Sequence, residues 1–257
     1  MSDAPPKIVI LGDSICLPRA KGAGNIPFES TYPYLLDRAL RDRYGAAAPV
    51  VIECGMRSRT IDDVVADWHE EVYLKQPDIV IVHVGGNDCA PRVFQNWERR
   101  LLEGLPLKRF RTQMFRLEKK FKRSLLLFLP HRVYVPMSRF RRRVEEIVHK
   151  AQHQKLKSLI FVTILPVTDR VEHTLPGVSR SVELYSRVYL DQAGKDRISV
   201  VDMSRLAYEN GGLQNISLDG MHVNEAGHRM LAREFERIVV EILGEHHAGR
   251  AAMGGRR

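Results

Sequence analysis

Five apolar, β-branched runs, at 7–11, 50–54, 79–84, 158–165 and 198–203, show almost no alternation of apolar and polar positions. A strand with one wet face would alternate, so these runs predict parallel strands covered on both faces. Between them the apolar positions recur at helical spacing. The segment 31–44 carries Tyr34, Leu35, Leu36, Ala39 and Leu40 ahead of Gly45. The segment 60–73 opens on Thr60 and places Asp62 and Asp63 in its first turn, where carboxylates complement the helix dipole. Helices are also predicted over 140–154 and 181–192. Asn224 is placed to cap a last helix running to about Leu243, with Gly244 ending the pattern. Strand and helix alternate throughout, which predicts a doubly wound α/β fold, a three-layer α/β/α sandwich on a five-stranded parallel sheet.

The connection between the third and fourth strands departs from this rhythm. At roughly 70 residues it exceeds an ordinary crossover and predicts an insertion over about 92–150. Within it, 101–128 intersperses Leu105, Leu107, Phe110, Met114, Phe115, Leu117 and Phe121 with Lys and Arg, an amphipathic basic pattern. Charge sharpens the picture: 92–150 holds 17 Lys and Arg against 5 Asp and Glu, a local +12 beside +9 for all 257 residues. That segment suits an anionic partner, as a cationic lid over an anionic substrate or as a surface for anionic lipid; its bland reading is a solvated helical hairpin. Nucleic acid ranks lower, since no recognition motif accompanies the charge.

Length and composition otherwise fit one domain over 1–243, followed by a tail, 244–257, rich in Gly, Ala, Arg and His that reads as disordered. Cys16, Cys54 and Cys89 are odd in number and lack C-x-x-C spacing, so they suggest buried thiols rather than a disulfide framework or a zinc site. His83 within the third strand reads as a core histidine, and His246 and His247 are too isolated to mark a metal site. Neither a secretory h-region nor a spanning apolar run is visible, and the expectation is a cytoplasmic protein, at most peripheral to the inner membrane surface.

Three polar patches each follow a predicted strand or precede the last helix. Gly12-Asp13-Ser14 puts a hydroxyl at the carboxyl edge of the sheet, where open α/β proteins bind ligands; a helix cap or phosphate turn reads equally well there. Gly85-Gly86-Asn87-Asp88 closes the third strand, the neighbour of the first in a 2-1-3-4-5 sheet, so the Asn87 amide can reach the same crevice; turn chemistry is the alternative. In Asp219-Gly220-Met221-His222 a three-residue separation lets the carboxylate hold His Nδ1–H and leaves Nε2 for a hydroxyl, although a surface Asp–His pair is common. Together they make a nucleophile, an oxyanion donor and a base with its orienting carboxylate.

In these patches the chain resembles the SGNH, or GDSL, hydrolase superfamily from Ile8 to about Leu243. The resemblance implies a flavodoxin-like sheet ordered 2-1-3-4-5, with Ser14 as nucleophile, Asp219 and His222 as the acid–base pair, and an oxyanion hole built from Ser14, Gly55 and Asn87. Its second block departs from the pattern: Glu53-Cys54-Gly55 stands where the family shows Asn-x-Gly. Gly-Asp-Ser followed by Leu17-Pro18-Arg19, with Thr31-Tyr32-Pro33-Tyr34 and Asp88-Cys89-Ala90-Pro91-Arg92, resembles a subgroup associated with bacterial surface-polysaccharide biosynthesis. Arg19, Arg57, Arg59 and Arg92 lie beside motif positions and could bind an anionic substrate group, a surface or structural ion pair being the plain alternative.

The expected function is serine-dependent hydrolysis of a carboxylic ester, removing a short acyl or acetyl group from a glycan-related or other small ester with no metal or organic cofactor. The rivals are an O-acyltransferase using the same residues, for which acetyl-CoA would be an anionic donor, and a non-catalytic glycan- or membrane-binding module.

Overall fold

The computed structural model of the chain describes residues 4–19, 25–104, 106–129, 132–154 and 156–254. In chain order the elements begin with β1 (Lys7–Gly12), α1 (Tyr32–Tyr44), β2 (Val50–Glu53), α2 (Ile61–Ala66), β3 (Ile79–His83) and α3 (Gly86–Cys89). Next come α4 (Asn96–Gly104), α5 (Lys108–Phe128), α6 (Met137–His153), β4 (Ser158–Val162) and α7 (Asp169–Thr174). The chain closes with α8 (Val178–Leu190), β5 (Ile198–Val201), α9 (Met203–Glu209), α10 (Leu213–Ile216) and α11 (Glu225–Gly254). The strands form one parallel sheet ordered β2-β1-β3-β4-β5, as expected.

Two apolar layers explain why the strands do not alternate in polarity. Val9, Leu11, Val80, Val82, Leu159 and Phe161 face α2, α6 and α8. Ile8, Ile10, Ile79, Ile81, Ile160 and Val162 face α1 and α11 on the other side. Both faces of β1, β3 and β4 are buried, so apolar side chains fill nearly every position, with polar Lys7, His83 and Ser158 at the strand ends; burying one apolar side chain is worth about 1.5–3 kcal/mol.

Local signals set the helix starts. Thr60 forms a reciprocal capping box with Asp63, and Asn224 Oδ1 accepts from the Gly227 N–H at 2.9 Å to start α11. The predicted helix over 60–73 is divided: α2 ends at Ala66 and a π-helical turn follows at His69–Tyr73. The last helix continues past Gly244 to Gly254, because one exposed glycine costs only about 1 kcal/mol in a helix. Of the tail expected to be disordered, 255–257 lie outside the described residues, as do the side chains of His246 and His247.

The insertion proves to be two different structures. Its second half, α6, is a regular layer helix that buries Phe140, Val144, Ile147 and Ala151 against the sheet. Two of its arginines are used structurally: Asp62 on α2 accepts from Arg139 Nε at 3.0 Å and Arg143 Nε at 2.8 Å. Its first half, predicted as one amphipathic run, is split into α4 and α5 near Pro106, which lacks the N–H a continuous helix needs. Among the described residues no helix is long and apolar enough to cross a membrane.

Candidate active site

The site forms where β1 and β3 end side by side. Gly12 pairs with His83 in the register, and the Asp13 N–H donates to the His83 carbonyl at 3.2 Å, so the chain leaves the sheet one residue before Ser14. Asp13 Oδ1 then accepts the Ile15 N–H at 2.9 Å, and Cys16 Sγ donates to the Asp13 carbonyl at 3.0 Å. These bonds close a tight turn around Ser14. Burial pushes the Asp13 carboxyl up to about 6, with the Ile15 N–H and the His222 and Arg19 charges opposing.

The base is delivered by the loop before α11. Ser217 and Val223 pair as an isolated antiparallel bridge, Ser217 Oγ donates to the His222 carbonyl at 2.9 Å, and Gly220 takes a left-handed φ of 85°. A Cβ there would lie 2.3 Å from Thr168 Oγ1, which accounts for glycine. Asp219 Oδ1 accepts the N–H groups of Met221 and His222 at 3.0 and 2.9 Å, and Asp219 Oδ2 lies 2.9 Å from His222 Nδ1. Burial alone would raise the Asp219 carboxyl. Its hydrogen bond to His222, that ring's charge and the backbone N–H groups outweigh burial and hold it well below the usual carboxylate range. The far ring nitrogen, His222 Nε2, lies 3.2 Å from Ser14 Oγ across 208 positions of sequence. The predicted convergence of Ser14, His222 and Asp219 is present.

The Asn87 amide faces the same cleft. Its Nδ2 makes two long bonds, to Asp13 Oδ2 at 3.4 Å and to the Arg59 carbonyl at 3.5 Å, while its Oδ1 accepts from Arg92 Nη2 at 3.4 Å. Weak partners leave that NH2 free to turn to a stronger, charged acceptor. Gly55 differs from expectation: its N–H donates to Glu53 Oε1 at 2.7 Å, so the carboxylate two residues earlier already occupies this oxyanion donor.

The four arginines separate by their partners. Arg92 lines the cleft and stacks over Tyr134 at 4.3 Å from the ring centroid. Arg59 does not reach substrate space: it is 1 % exposed, donates to Asp67 Oδ2 at 2.7 Å and to the Cys54 carbonyl, and braces the loop after β2. Arg57 is also committed elsewhere, donating to the Pro18 carbonyl at 2.8 Å and so tying the β2 loop to the β1 loop. Arg19 pairs its backbone with Ile26 and buries Nη1 without a partner among the described residues, outside the cleft lining.

A wall with no polar motif completes the site. Ile164, Leu165, Val167, Val178, Val182 and Met221 close a cavity of about 160 Å³ beside Ser14. The sequence held one signal for it: the fourth apolar run continues to Leu165, three residues past the end of β4, so its last members emerge at the carboxyl edge. The cysteines are packing residues, with Cys16 and Cys89 buried and burial pushing the Cys54 thiol up to about 12. His83 is a core histidine bonded through Nδ1 to the Tyr32 hydroxyl at 3.2 Å. Among the described residues no group of three His, Cys, Asp or Glu side chains could hold a metal.

A parallel 2-1-3-4-5 sheet carrying this serine, glycine, asparagine and histidine on successive blocks defines a class, the SGNH hydrolases. The profile of the GDSL-like lipase/acylhydrolase family matches residues 10–230, and the chain belongs to that family of enzymes acting on esters. None of the curated proteins matches the chain. Among solved structures, a lipase/acylhydrolase from Enterococcus faecalis is similar over 91 % of this chain and 95 % of its own at 19 % identity, TM-score 0.61. Axe2, an acetylxylan esterase from Geobacillus stearothermophilus, is similar over 92 % and 95 % at 20 % identity, TM-score 0.60. LAE5, an α/β hydrolase enzyme from the metagenome of Lake Arreo, Spain, is similar over 94 % and 97 % at 20 % identity, TM-score 0.60.

Proposed function

We propose that the protein is a serine esterase that removes a short acyl group, of acetyl size, from a small or glycan-linked ester. The observation that carries this reading is the continuous Asp219–His222–Ser14 hydrogen-bond chain opening onto a cavity of about 160 Å³ with apolar walls. Drug-sized ligands occupy roughly 300–1,000 Å³, so this space suits an acyl group of a few carbons, with the alcohol portion left outside.

In this reading neutral His222 accepts the Ser14 proton at Nε2 as Oγ bonds to the ester carbonyl carbon. Asp219 holds Nδ1–H and stabilises the imidazolium that forms. The carbonyl oxygen becomes an oxyanion, stabilised by the Ser14 N–H and the Asn87 amide. The C–O bond to the alcohol then breaks, and His222 returns the proton to the departing oxygen. Water, deprotonated by His222, attacks the acyl-serine, and collapse releases the acid and restores the Ser14 hydroxyl. A likeness in fold to an acetylxylan esterase is compatible with a sugar acetate as substrate.

The test is turnover of acetyl, butyryl and octanoyl esters of one chromogenic alcohol, with mass analysis of the protein trapped during turnover. A rise in mass by the acyl group on Ser14, and loss of turnover in a folded Ser14→Ala variant, are expected. Retained hydrolysis in that variant, or a preference for octanoyl, would refute the proposal.

A further inference from the structure

The helix α5 is built unlike the rest of the molecule. It spans 21 residues, yet none is fully buried. One side, through Phe115 and Leu126, is half-buried against the protein. Away from it Phe110, Leu117, Phe121 and Phe128 are all exposed, Phe128 to 90 %. Their spacing of seven, four and seven, at about 100° per residue, brings all four within about 40° of arc, a continuous apolar ridge along the helix. Trp97 and Leu101 on α4, one turn apart, are each 66 % exposed. The two helices are joined through Arg111 Nη1, which donates to the Glu103 carbonyl at 2.7 Å, and through Arg99 stacked 5.1 Å from the Phe115 ring centroid.

The remaining surface of α5 is cationic, with eight Lys and Arg against the single Glu118. On the same wheel Lys120 and Arg109 lie about 80–100° to one side of the ridge, with Arg116 and Arg123 further round, and Arg111 lies about 100° to the other side. Long basic side chains beside an apolar stripe can extend to a phosphate layer while the stripe enters an apolar one.

We infer that α4 and α5 dock the protein, parallel to the surface, on a bilayer containing anionic phospholipid. Charge selects this occupant over the others. A second copy placed on the ridge would oppose two strongly cationic helices, and a nucleic acid would meet the cations but leave the phenylalanines without an apolar partner. An anionic bilayer answers both features. The phenylalanines and Trp97 reach the boundary of the acyl region, and the Lys and Arg side chains meet headgroup phosphates. Arg92, just upstream of α4, lines the catalytic cleft, so the docking helices are rooted beside the site. This inference stands on α4 and α5 and does not depend on the chemistry at Ser14.

The test is co-sedimentation of the full chain with vesicles of phosphatidylcholine alone or with about 30 % phosphatidylglycerol, at about 0.1 M and 0.5 M salt. Binding to the anionic vesicles, at least about tenfold above the neutral ones and weakened by salt, is expected. Phe121→Ser with Phe128→Ser, and separately Arg109→Glu with Lys120→Glu, should each reduce binding about tenfold while soluble ester turnover and circular dichroism stay unchanged. No preference for anionic vesicles, or full binding by either double variant, would overturn the inference. So would light scattering that finds a wild-type dimer converted to monomer by the phenylalanine substitutions.

Discussion

Glu53 places its carboxylate 2.7 Å from the backbone N–H of Gly55, the donor that the family pattern assigns to the oxyanion. The family pattern carries Asn where Glu53 stands, so in the proposed mechanism a carboxyl group lies beside the oxyanion position. In that mechanism two donors remain at once available, the Ser14 N–H and the Asn87 amide. Glu53→Ala should free the Gly55 N–H and raise kcat on a short ester about tenfold with little change in KM, because the donor acts on charge that develops in the transition state. Glu53→Gln should stay within about twofold of wild type, since its amide oxygen still accepts the bond. Steady-state kinetics of both variants checks this; equal rates in all three proteins would mean that Gly55 does not serve the oxyanion.

Arg92 holds the oxygen end of the Asn87 amide at 3.4 Å and thereby aims the NH2 end. Its Nε is buried without a partner, and its ring stacking on Tyr134 fixes the guanidinium plane. Arg92→Ala should lower kcat on a neutral ester about ten- to hundredfold, less than the full loss of an oxyanion donor. In an Asn87→Ala background the same substitution should add little, which a double-mutant cycle on kcat will read. Additive losses would show that Arg92 acts on substrate directly.

In the proposed reading the acyl preference rests on the apolar wall beside Ser14. Val182 and Val178 on α8, with Ile164 after β4, line the cavity that holds Ser14. Val182→Ala should raise the butyryl-to-acetyl ratio of kcat/KM about tenfold, the usual worth of one or two methylenes in a hydrophobic pocket. A stability loss of about 1–3 kcal/mol is expected alongside, read by denaturant unfolding. An unchanged ratio would move the acyl site elsewhere.

Acid sensitivity should come from a buried pair of histidines. The Tyr32 N–H donates to His228 Nδ1 at 3.1 Å, and burial lowers His228 to about 4; burial, then the nearby His228, lowers His83 to about 3. Unfolded, each titrates near 6.5, so between about 6.5 and 4 the unfolded chain binds the extra protons. Stability from these groups is therefore complete above about 6.5 and is lost as pH falls toward 4 and 3. For His228 the loss is on the order of 3 kcal/mol. Asp13 and Asp88, raised by burial to about 6 and 8, act with the opposite sign and are more favourable when protonated. The difference between wild type and His228→Gln isolates the histidine: melting temperatures at pH 7 and pH 5 should differ less in the variant. An equal shift in both proteins would remove His228 from this account.

Most of the architecture was legible in the chain. Runs such as 79–84 are apolar at every position but His83 because β3 is sandwiched between two helical layers, and burial of that kind leaves its mark on local composition. The glycines, Asn87, Ser14 and the Asp219–His222 pair were readable for the same reason, as turn geometry and three-residue spacing are local properties. The split of the insertion into a structural α6 and an exposed α4–α5 was less visible, since both halves are basic and amphipathic and only a neighbour decides which face is covered.

Sequence alone therefore determined the strand count, the order of layers and the chemical inventory at the sheet edge, because backbone propensity and periodic burial act over a few residues at a time. Tertiary structure decided which of four arginines faces the cleft, that Glu53 takes the N–H of Gly55, and that Ile164 and Val182 meet beside Ser14. Those outcomes depend on side-chain directions and distances between segments far apart in the chain, which packing fixes and residue order does not record.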